Sequence, residues 1–472
     1  MKNLERKLEN FPTILIIFGA TGDLMERKLL PSIFHMWQTG FLPKMFRVIG
    51  FAKENLTQKE YRDWLRKNVP KKGKRVEDFL QNFSYQPGLF ENIENYKELG
   101  KKLGYIDGKF RICTNKLFYL AVPPNYYKTI FQNLAKSGLT EPCSPEEGWT
   151  RVLVEKPFGQ DLEKAQKLDL LLGKLFKEIQ IFRIDHYLAK ETVLNLLVFR
   201  FANSVFENLW NKDFIEKITI KILEKSGLEK RGLFYDSLGA LRDVGQNHLL
   251  QMLAFVTMDA PLTLDPEEIR GRKLDILKCL PKMTKNEIKK NTVRGQYQGY
   301  REIEGVKPNS QKETYFKVKT FLNNPRWQGV PIILESGKKL NKDLSEIEIT
   351  FRQTTPCPFC KTGEEESHKN TLLFQIQPKE GISFCFFSKI PGHKMETEEK
   401  DLHFFYQESY RKERMLPDYE HLLTDAFLGD QTLFPSTKEI LASWKFVDPI
   451  LKSWRKGISP LKIYKQNSSG PK

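Results

Sequence analysis

A short, strongly apolar run near the start of the chain most constrains the fold. Residues 13–18 read TILIIF, and the run ends at Gly19. A continuous run of large and β-branched apolar residues closed by glycine is typical of a strand buried on both faces of a parallel sheet. A helical pattern follows at about residues 28–37. The segment therefore predicts the first strand, turn and helix of an α/β domain.

Three later runs repeat the pattern of a buried strand. They occupy residues 47–52, 117–122 and 151–154, and helical patterns separate them. Regular alternation of strand and helix is the pattern of a doubly wound parallel sheet. We therefore predict a Rossmann-type, dinucleotide-binding domain over residues 1–185.

The pattern changes in the second part of the chain. Residues 217–224 alternate polar and apolar side chains, as a half-exposed antiparallel strand does. Similar stretches recur at 314–321, 345–351, 371–377 and 382–387. Residues 238–258 predict one long core helix, and the polar end at 465–472 predicts a frayed tail. We expect an α+β domain over 186–472, with a large, mainly antiparallel sheet, that binds substrate and forms oligomers.

Charge and cysteine content narrow the class of protein. The net charge of +17 favours anionic partners such as nucleic acid, phospholipid or phosphorylated metabolites. The charge is spread along the chain rather than gathered in an arm, which argues against nucleic acid as the main partner. Six cysteines in 472 residues fit a reducing compartment. With no signal-peptide core and no apolar run of about 18 residues, the sequence predicts a cytoplasmic protein without a membrane partner.

The turn after the first strand is a candidate phosphate-binding site. Gly19 allows a sharp turn, and Gly22 allows the backbone to approach a pyrophosphate near the start of a helix. The spacing lacks the third glycine of the full fingerprint, so a plain strand-to-helix turn stays an alternative. Lys53 at the end of the second strand favours the 2′-phosphate of NADP, and the neighbouring Glu54 leaves NAD open.

Two polar segments lie about sixty residues apart and hold two of the seven histidines. The first, 183–191, reads RIDHYLAKE. If it is helical, His186 and Lys190 lie one turn apart and can form a phosphate clamp with Tyr187. The alternative is a structural salt-bridge cluster that includes Glu191.

The second polar segment, 242–248, reads RDVGQNH and leads straight into an apolar stretch. A helix that is apolar at one end is expected to be buried, so its polar part would line a pocket. His248 titrates near neutral pH and could act as a general base. The alternative is a core histidine whose hydrogen bonds are all made within the protein. Asp185, an acid in a similar pocket-like setting, favours a catalytic role for His248.

The pair Cys357 and Cys360 would supply two of the usual four ligands of a zinc site, with His368 as a third. The other four cysteines are scattered along the chain. We therefore predict no metal site.

Together these segments resemble the glucose-6-phosphate dehydrogenase family. The resemblance covers nearly the whole chain, in the family's order. Its motifs are GATGDL at 19–24, EKPFG at 155–159, RIDHYLAKE at 183–191, RFAN at 200–203, GALRD at 239–243, QNH at 246–248, RWQGVP at 326–331, SGK at 336–338 and LPDYE at 416–420.

The resemblance implies an NADP-dependent dehydrogenase that oxidises β-D-glucose 6-phosphate at C1 to 6-phospho-D-glucono-1,5-lactone. NAD is possible as the coenzyme. This reaction is the first step of the oxidative pentose phosphate pathway, and the family forms homodimers or homotetramers. The resemblance implies His248 as the general base and Asp185 as its partner.

The remaining roles also follow from the resemblance. Substrate-binding residues would be Lys156, His186, Tyr187, Lys190, Glu224, Asp243 and Lys338. Coenzyme-binding residues would be Gly19, Thr21, Gly22, Asp23, Leu24, Lys53 and Lys156. Lys53 stands where the family often has arginine, which weakens the preference for NADP.

Three other functions stay open at this point. The first is an NAD-dependent oxidoreductase acting on an unphosphorylated sugar, against which His186 and Lys190 argue. The second is a nucleic-acid-binding protein, suggested by the charge. The third is a catalytically inactive sugar-phosphate sensor, against which Asp185 and His248 argue.

Overall fold

A computed structural model describes residues 12–70, 74–143, 147–229, 231–359, 368–410 and 416–471. The described residues fall into two compact units. The first takes those within Met1–Gly159, Glu163–Ala189 and Leu416–Thr437. The second takes those within Gln160–Leu162, Lys190–Met415 and Lys438–Lys472.

The first unit is built on a six-stranded sheet. Its strands are β1 Thr13–Phe18, β2 Phe46–Ala52, β3 Phe83–Pro87, β4 Asn115–Leu120, β5 Thr150–Val154 and β6 Ile181–Arg183. All neighbouring strands run parallel, in the order β3-β2-β1-β4-β5-β6. The order reverses at the β1–β4 pair, which is the switch point of a doubly wound sheet. The predicted Rossmann-type architecture is confirmed.

Amphipathic helices accompany this sheet. They are Leu30–Thr39, Gln58–Asn68, Lys74–Leu80, Ile93–Phe110, Tyr127–Lys136, Leu162–Leu175 and Asp418–Leu428, with a π-helix at Met25–Leu29 and 3₁₀ turns at Pro124–Tyr126 and Glu178–Gln180. Helix Tyr127–Lys136 buries Tyr127, Ile130, Phe131 and Leu134. This spacing forms one apolar stripe, while every residue of β1 is buried. The core of the unit therefore lies between sheet and helices.

A segment from late in the chain completes the first unit. Arg151 donates hydrogen bonds from Nη1 to the carbonyls of Ala426, at 2.7 Å, and Phe427, at 2.8 Å. The rings of Phe182 and Phe434 pack edge to face with centroids 4.9 Å apart. Residues 416–437 thus pack on a sheet formed by the first 185 residues. The division of function between a dinucleotide-binding domain and a substrate-binding domain stays a prediction.

The second unit is built on a nine-stranded sheet. Its strands are β7 Ile215–Leu223, β8 Thr292–Tyr297, β9 Tyr315–Thr320, β10 Ile332–Gly337, β11 Leu344–Phe351, β12 Thr371–Gln377, β13 Gly381–Lys389, β14 Thr397–Phe405 and β15 Leu461–Tyr464. Their order is β14-β13-β12-β11-β7-β10-β9-β8-β15. The pairs β7–β10 and β8–β15 are parallel and the other neighbours antiparallel. The predicted large, mainly antiparallel sheet is confirmed.

The helices of the second unit include the core helix predicted over 238–258, and a break separates this helix from the preceding one. The α-helices are Glu191–Phe201, Ser204–Leu209, Gly232–Leu238, Leu250–Thr257, Pro266–Lys278, Lys285–Asn291, Tyr406–Ser409 and Thr437–Arg455, with a π-helix at Leu241–Leu249 and a 3₁₀ turn at Tyr300–Glu302. The break falls at Gly239, whose φ is +84°, and a Cβ there would lie 2.5 Å from Oε1 of Glu313. Only glycine fits this turn. The predicted helix therefore runs without interruption from residue 240 to residue 257, with π-helical geometry at Leu241–Leu249.

Residues 465–471 are described and held by backbone hydrogen bonds, contrary to the expectation of a frayed tail over 465–472; Lys472 lies outside the described residues. The amide of Asn467 donates to the carbonyl of Lys339 at 2.8 Å, and the amide of Asn341 donates to the carbonyl of Ser468 at 3.0 Å. These partners lie more than 120 residues earlier, so composition could not reveal them. Among the described residues, no helix has the length and apolar character that a bilayer span requires.

Candidate active site

The glycine turn lies at the switch point of the parallel sheet. Gly19 follows β1 with a φ of +82°, and a Cβ at this position would lie 2.4 Å from the carbonyl oxygen of Ala121, just beyond β4. The amide of Ala121 donates to the carbonyl of Phe18 at 3.0 Å, so the chain segments after β1 and β4 lie side by side. In doubly wound sheets, dinucleotides bind at this place.

The rest of the turn leads into the first helix. Thr21 and Gly22 are partly exposed, and the helical stretch begins at Asp23 and Leu24. The Thr21 hydroxyl donates to Oε2 of Glu54 at 2.7 Å, which fixes the turn against the end of β2. A helix start with nearby glycine suits a phosphate group, because backbone N–H groups point along the helix axis.

Lys53 and Glu54 follow β2 and differ in their surroundings. Lys53 is exposed, whereas Glu54 is partly buried and accepts the Thr21 hydrogen bond. An engaged carboxylate and an exposed ammonium at this strand end favour a negatively charged group on the coenzyme ribose. This supports the prediction of NADP but leaves NAD open.

The loop after β5 begins with Glu155, Lys156 and Pro157. The hydroxyl of Tyr119 donates to Oε1 of Glu155 at 2.7 Å, and the hydroxyl of Tyr127 donates to the Glu155 carbonyl at 2.7 Å. Burial raises the pKa of the Glu155 carboxyl, and the hydrogen bond from Tyr119 opposes this shift. Two tyrosines on different elements therefore hold Glu155, Tyr119 through its carboxylate and Tyr127 through its carbonyl, directly before Lys156.

Asp185 follows β6 in a tight turn. Its side chain is 1 % exposed, and Oδ1 accepts a hydrogen bond from the Tyr187 amide at 3.1 Å. His186 is partly exposed, and its ring centroid lies 5.0 Å from that of Tyr187. Residues 186–189 form a turn, and the following helix begins only at Glu191. The helical geometry expected for the pair His186 and Lys190 is therefore wrong.

Lys190 stands at the start of the second unit. It is the N-cap of helix Glu191–Phe201, with extended backbone angles of φ −74° and ψ 132°. Its carbonyl accepts hydrogen bonds from the amides of Val193 and Leu194. The backbone at Lys190 is thereby fixed by the helix that it opens.

Glu224 and Lys338 meet in the second unit. Glu224 follows β7, Lys338 follows β10, and these parallel strands place Leu223 opposite Gly337. The Lys338 ammonium forms an ion pair with Oε2 of Glu224. The amide of Glu224 donates to the Gly337 carbonyl at 2.9 Å. Two residues 114 positions apart in the chain thus converge at the carboxyl ends of two parallel strands.

Asp243 and His248 lie on the π-helix Leu241–Leu249. All nine of its residues are buried, including Arg242, Gln246 and Asn247. Asp243 is 8 % exposed and His248 only 2 %. Long π-helices are rare and often occur at functional sites. A buried helix with five polar side chains is costly unless these groups serve a site or bind one another.

Tyr235 is a candidate binding residue that the sequence pattern did not indicate. It is fully buried, and within the part of the chain that the structure describes its hydroxyl has no hydrogen-bond partner. Burial raises the pKa of Tyr235 well above its usual value, and the charges of Asp243, Glu313 and Glu224 add to this shift. The tyrosine thus lies near two predicted substrate-binding carboxylates. Only the three-dimensional fold could reveal this.

The cysteine pair gives no metal centre among the residues described. Cys360 lies outside them, and Cys357 places Sγ 3.1 Å from Nδ1 of His368. Nε2 of His368 lies 3.0 Å from the Thr397 hydroxyl. Within the described ranges, no group of three or more potential metal ligands occurs.

The predicted site residues are thus divided between the units. The first unit holds the glycine turn, Lys53, Lys156, Asp185, His186 and Tyr187; the second holds Lys190, Glu224, Asp243, His248 and Lys338. Direct contacts join Glu224 to Lys338 and Asp185 to the Tyr187 amide. The catalytic and binding roles of these residues stay predictions.

The sheet order, the glycine turn and the polar groups at the strand ends define a dinucleotide-binding protein of the Rossmann class. Family models agree with this class. One, described as "Glucose-6-phosphate dehydrogenase, NAD binding domain", matches residues 16–195, and one described as "Glucose-6-phosphate dehydrogenase, C-terminal domain" matches residues 197–472. The chain belongs to the glucose-6-phosphate dehydrogenase family.

Individual relatives are similar over the full length. The glucose-6-phosphate 1-dehydrogenase of Borreliella burgdorferi is 39 % identical, covering 99 % of this chain and 96 % of the relative. That of Aggregatibacter actinomycetemcomitans is 40 % identical, covering 97 % and 94 %. A solved glucose-6-phosphate dehydrogenase in complex with its substrate glucose-6-phosphate is 34 % identical, with a TM-score of 0.90 over 98 % of this chain and 96 % of that one.

Proposed function

We propose that this chain oxidises β-D-glucose 6-phosphate at C1 to 6-phospho-D-glucono-1,5-lactone, with NADP+ or NAD+ as the hydride acceptor. The observation that carries the proposal is the buried π-helix. Its nine residues hold a base, a carboxylate and two amides inside the second unit. A structural core seldom contains so many polar groups, whereas proton removal from a sugar hydroxyl needs them.

The coenzyme would bind at the glycine turn. The close approach of Gly19 to Ala121 leaves no room for a side chain there, and the helix start at Asp23 offers backbone N–H groups. Gly19, Thr21, Gly22, Asp23 and Leu24 would hold the pyrophosphate. Lys53 would contact the 2′-phosphate of NADP. When bound, the nicotinamide ring supplies the site that accepts hydride from C1.

The substrate would be held at both ends. His186, Tyr187 and Lys190 would bind the phosphate group through positive charge and hydroxyl donors. Glu224, Asp243 and Lys338 would bind the sugar hydroxyls or the phosphate end, and Lys156 would lie between the substrate and the nicotinamide. The ion pair between Glu224 and Lys338 supports this assignment, because each partner holds the other in a fixed position.

Proton transfer is assigned to His248. Its imidazole would take the proton of the C1 hydroxyl as the C1–H bond breaks, since hydride leaves readily only when the oxygen carries negative charge. Asp185 would orient the imidazole and stabilise its protonated form, as a carboxylate does in acid–base dyads. We further assign the chain to a cytoplasmic homodimer or homotetramer.

Two direct assays, with and without the phosphate group on the sugar, test the proposal. The purified chain is mixed with glucose 6-phosphate and either NADP+ or NAD+, and the absorbance of reduced nicotinamide is followed. The same assay with unphosphorylated glucose is the comparison. Reduction that needs the phosphate is the expected result. Equal rates with glucose would favour the unphosphorylated-sugar dehydrogenase instead.

A further inference from the structure

A cavity in the second unit has the charge and shape of an anion site. Its volume is about 340 Å³, which is at the small end of ligand pockets in proteins. Five basic side chains and two carboxylates line it. None of the functions assigned above uses this cavity.

The two carboxylates are already engaged by the protein. Asp236 accepts hydrogen bonds from the Tyr300 hydroxyl, at 3.1 Å, and from the Ser310 hydroxyl. Oε1 of Glu313 accepts from the Leu241 amide at 3.2 Å. These carboxylate oxygens therefore already accept hydrogen bonds from the protein itself. The five basic side chains also outnumber the two carboxylates.

Two of the basic groups are almost wholly buried. Arg242 is 3 % exposed and Arg294 is 6 % exposed. Arg242 donates from Nε to the Gln160 carbonyl and from Nη1 to the Leu238 carbonyl, each at 2.8 Å. Its Nη2 is buried and finds no acceptor among the residues described. A buried guanidinium with an unsatisfied donor is costly, and an anion would remove that penalty.

The remaining cations add repulsion around this cavity. Burial lowers the pKa of Lys312, the charges of Arg242 and Arg455 lower it further, and Glu313 opposes them. Arg455, at the end of helix Thr437–Arg455, is exposed. Cations from separate segments therefore surround one space, and a multivalent anion would satisfy them together.

We propose that this cavity binds a phosphate-type oxyanion, either inorganic phosphate or the phosphoryl group of a small metabolite. Arg242 and Arg294 form its buried wall, and Lys312 and Arg455 form its rim. Guanidinium groups match the geometry of phosphate oxygens. Its lining includes none of the residues assigned to the substrate clamp, which are His186, Tyr187 and Lys190. Because Arg242 precedes Asp243 on the π-helix, a bound anion would also stabilise the helix that carries His248.

Calorimetric titration with inorganic phosphate tests the site. The titration uses the whole chain carrying Lys190→Ala, at an ionic strength held constant with chloride, so that the substrate clamp contributes little. Adding Lys312→Met or Arg455→Met should weaken the binding of phosphate about tenfold each, the value of one charge-assisted hydrogen bond. Lys456→Met, at an exposed neighbour outside the cavity, should leave the affinity unchanged.

Two further measurements make the result decisive. Phosphate should raise the unfolding temperature of the Lys190→Ala chain, and less so when Arg455→Met is added, because ligands stabilise the state that binds them. Glycerol 3-phosphate, as a second probe, distinguishes the two possible ligands. If it binds more tightly than inorganic phosphate, the site takes the phosphoryl group of a metabolite. If it binds more weakly, the site takes the free phosphate ion.

The proposal is overturned if phosphate does not bind, or if it binds equally well with and without the rim substitutions. Dehydrogenase activity is measured without added phosphate and reports on the proposed function alone. An inactive chain whose phosphate affinity depends on Lys312 and Arg455 would refute that function and leave this site standing.

Discussion

Glu224 and Lys338 form an ion pair at the ends of two parallel strands in an otherwise mainly antiparallel sheet. The parallel pairing of β7 with β10 is what brings these ends together, because the carboxyl ends of parallel strands meet at one edge. Lys338 is 9 % exposed, and its ammonium is paired with the Glu224 carboxylate. An ion pair between a buried lysine and a partly buried glutamate can hold a polar ligand in a fixed orientation.

Replacing Lys338 tests whether this pair binds substrate. We expect Lys338→Met to raise the KM for glucose 6-phosphate about tenfold, the value of one charge-assisted contact, with little change in the KM for coenzyme. Steady-state kinetics with both substrates gives the two constants. Lys342→Met, at an exposed position on the same loop, is the control. An unchanged KM for the sugar phosphate would remove Lys338 from the site.

Lys190 is assigned to the phosphate group of the substrate. Lys190→Ala should therefore raise the KM for glucose 6-phosphate by about tenfold or more and change the turnover number less. The rate with unphosphorylated glucose should not change, because that sugar lacks the group that Lys190 contacts. Lys225→Ala, at an exposed lysine of the same unit, provides the comparison. Equal losses with both sugars would mean that Lys190 acts on something other than the phosphate.

Gly19 should tolerate no side chain. A Cβ there meets the Ala121 carbonyl at 2.4 Å in addition to the strain of a φ of +82°. Gly138 has a similar φ of +72° with nothing within 4 Å of the added atom. Gly138→Ala should therefore lower stability by about 1 kcal/mol, and Gly19→Ala by clearly more, with loss of coenzyme affinity. Thermal unfolding and coenzyme titration measure both. Equal effects would show that the contact with Ala121 yields without penalty.

Strong apolar runs allowed accurate prediction of several strands. The strand predicted over 13–18 is β1, and the one predicted over 371–377 is β12, with the same bounds. The apolar run predicted this strand over 117–122, two residues later than β4 lies in the structure. The structure starts β4 at Asn115, because Asn115 and Lys116 are buried with partners. Nζ of Lys116 lies 2.6 Å from Oδ2 of Asp107, a partner that apolar patterning cannot show.

The residue types of the candidate site could be predicted from the sequence, but its local backbone geometry could not. The sequence indicated that residues 242–248 form a buried polar helix. It did not indicate a π-helix, and it could not show the close approach of Gly239 to Glu313, which is distant in the chain. The tyrosine at 235 was missed for the same reason. Its hydroxyl becomes significant only through the nearby charges of Asp243 and Glu224.

Asp425 should make stability depend on pH. Burial raises the pKa of its carboxyl to about 7, the charge of Asp430 adds to this, and His421 opposes it. Between the ordinary pKa of 3.8 and about 7, the folded protein binds more protons than the unfolded chain. Stability therefore falls as pH rises through this window.

Asp425→Asn should remove this loss of stability at higher pH, because the asparagine side chain does not ionise. The substitution should raise the unfolding temperature by a few degrees at neutral pH, with a gain that shrinks towards zero as pH falls to about 4. Asp430→Asn should give a smaller rise in unfolding temperature, because it removes only the charge of Asp430 and leaves Asp425 buried. Thermal unfolding over a pH series measures both. A gain that does not vary with pH would contradict the assignment.

The central claim is that the His248 imidazole removes the proton of the C1 hydroxyl, and one kinetic comparison tests it most directly. The turnover number and the KM for glucose 6-phosphate are measured for His248→Asn, with His403→Asn, at an exposed histidine of β14, as the control. The account predicts a fall in turnover of roughly 10²–10⁴-fold for His248→Asn, the usual contribution of a general base, with a modest change in KM and near-normal rates for the control. Turnover close to that of the unmodified chain in His248→Asn would contradict it.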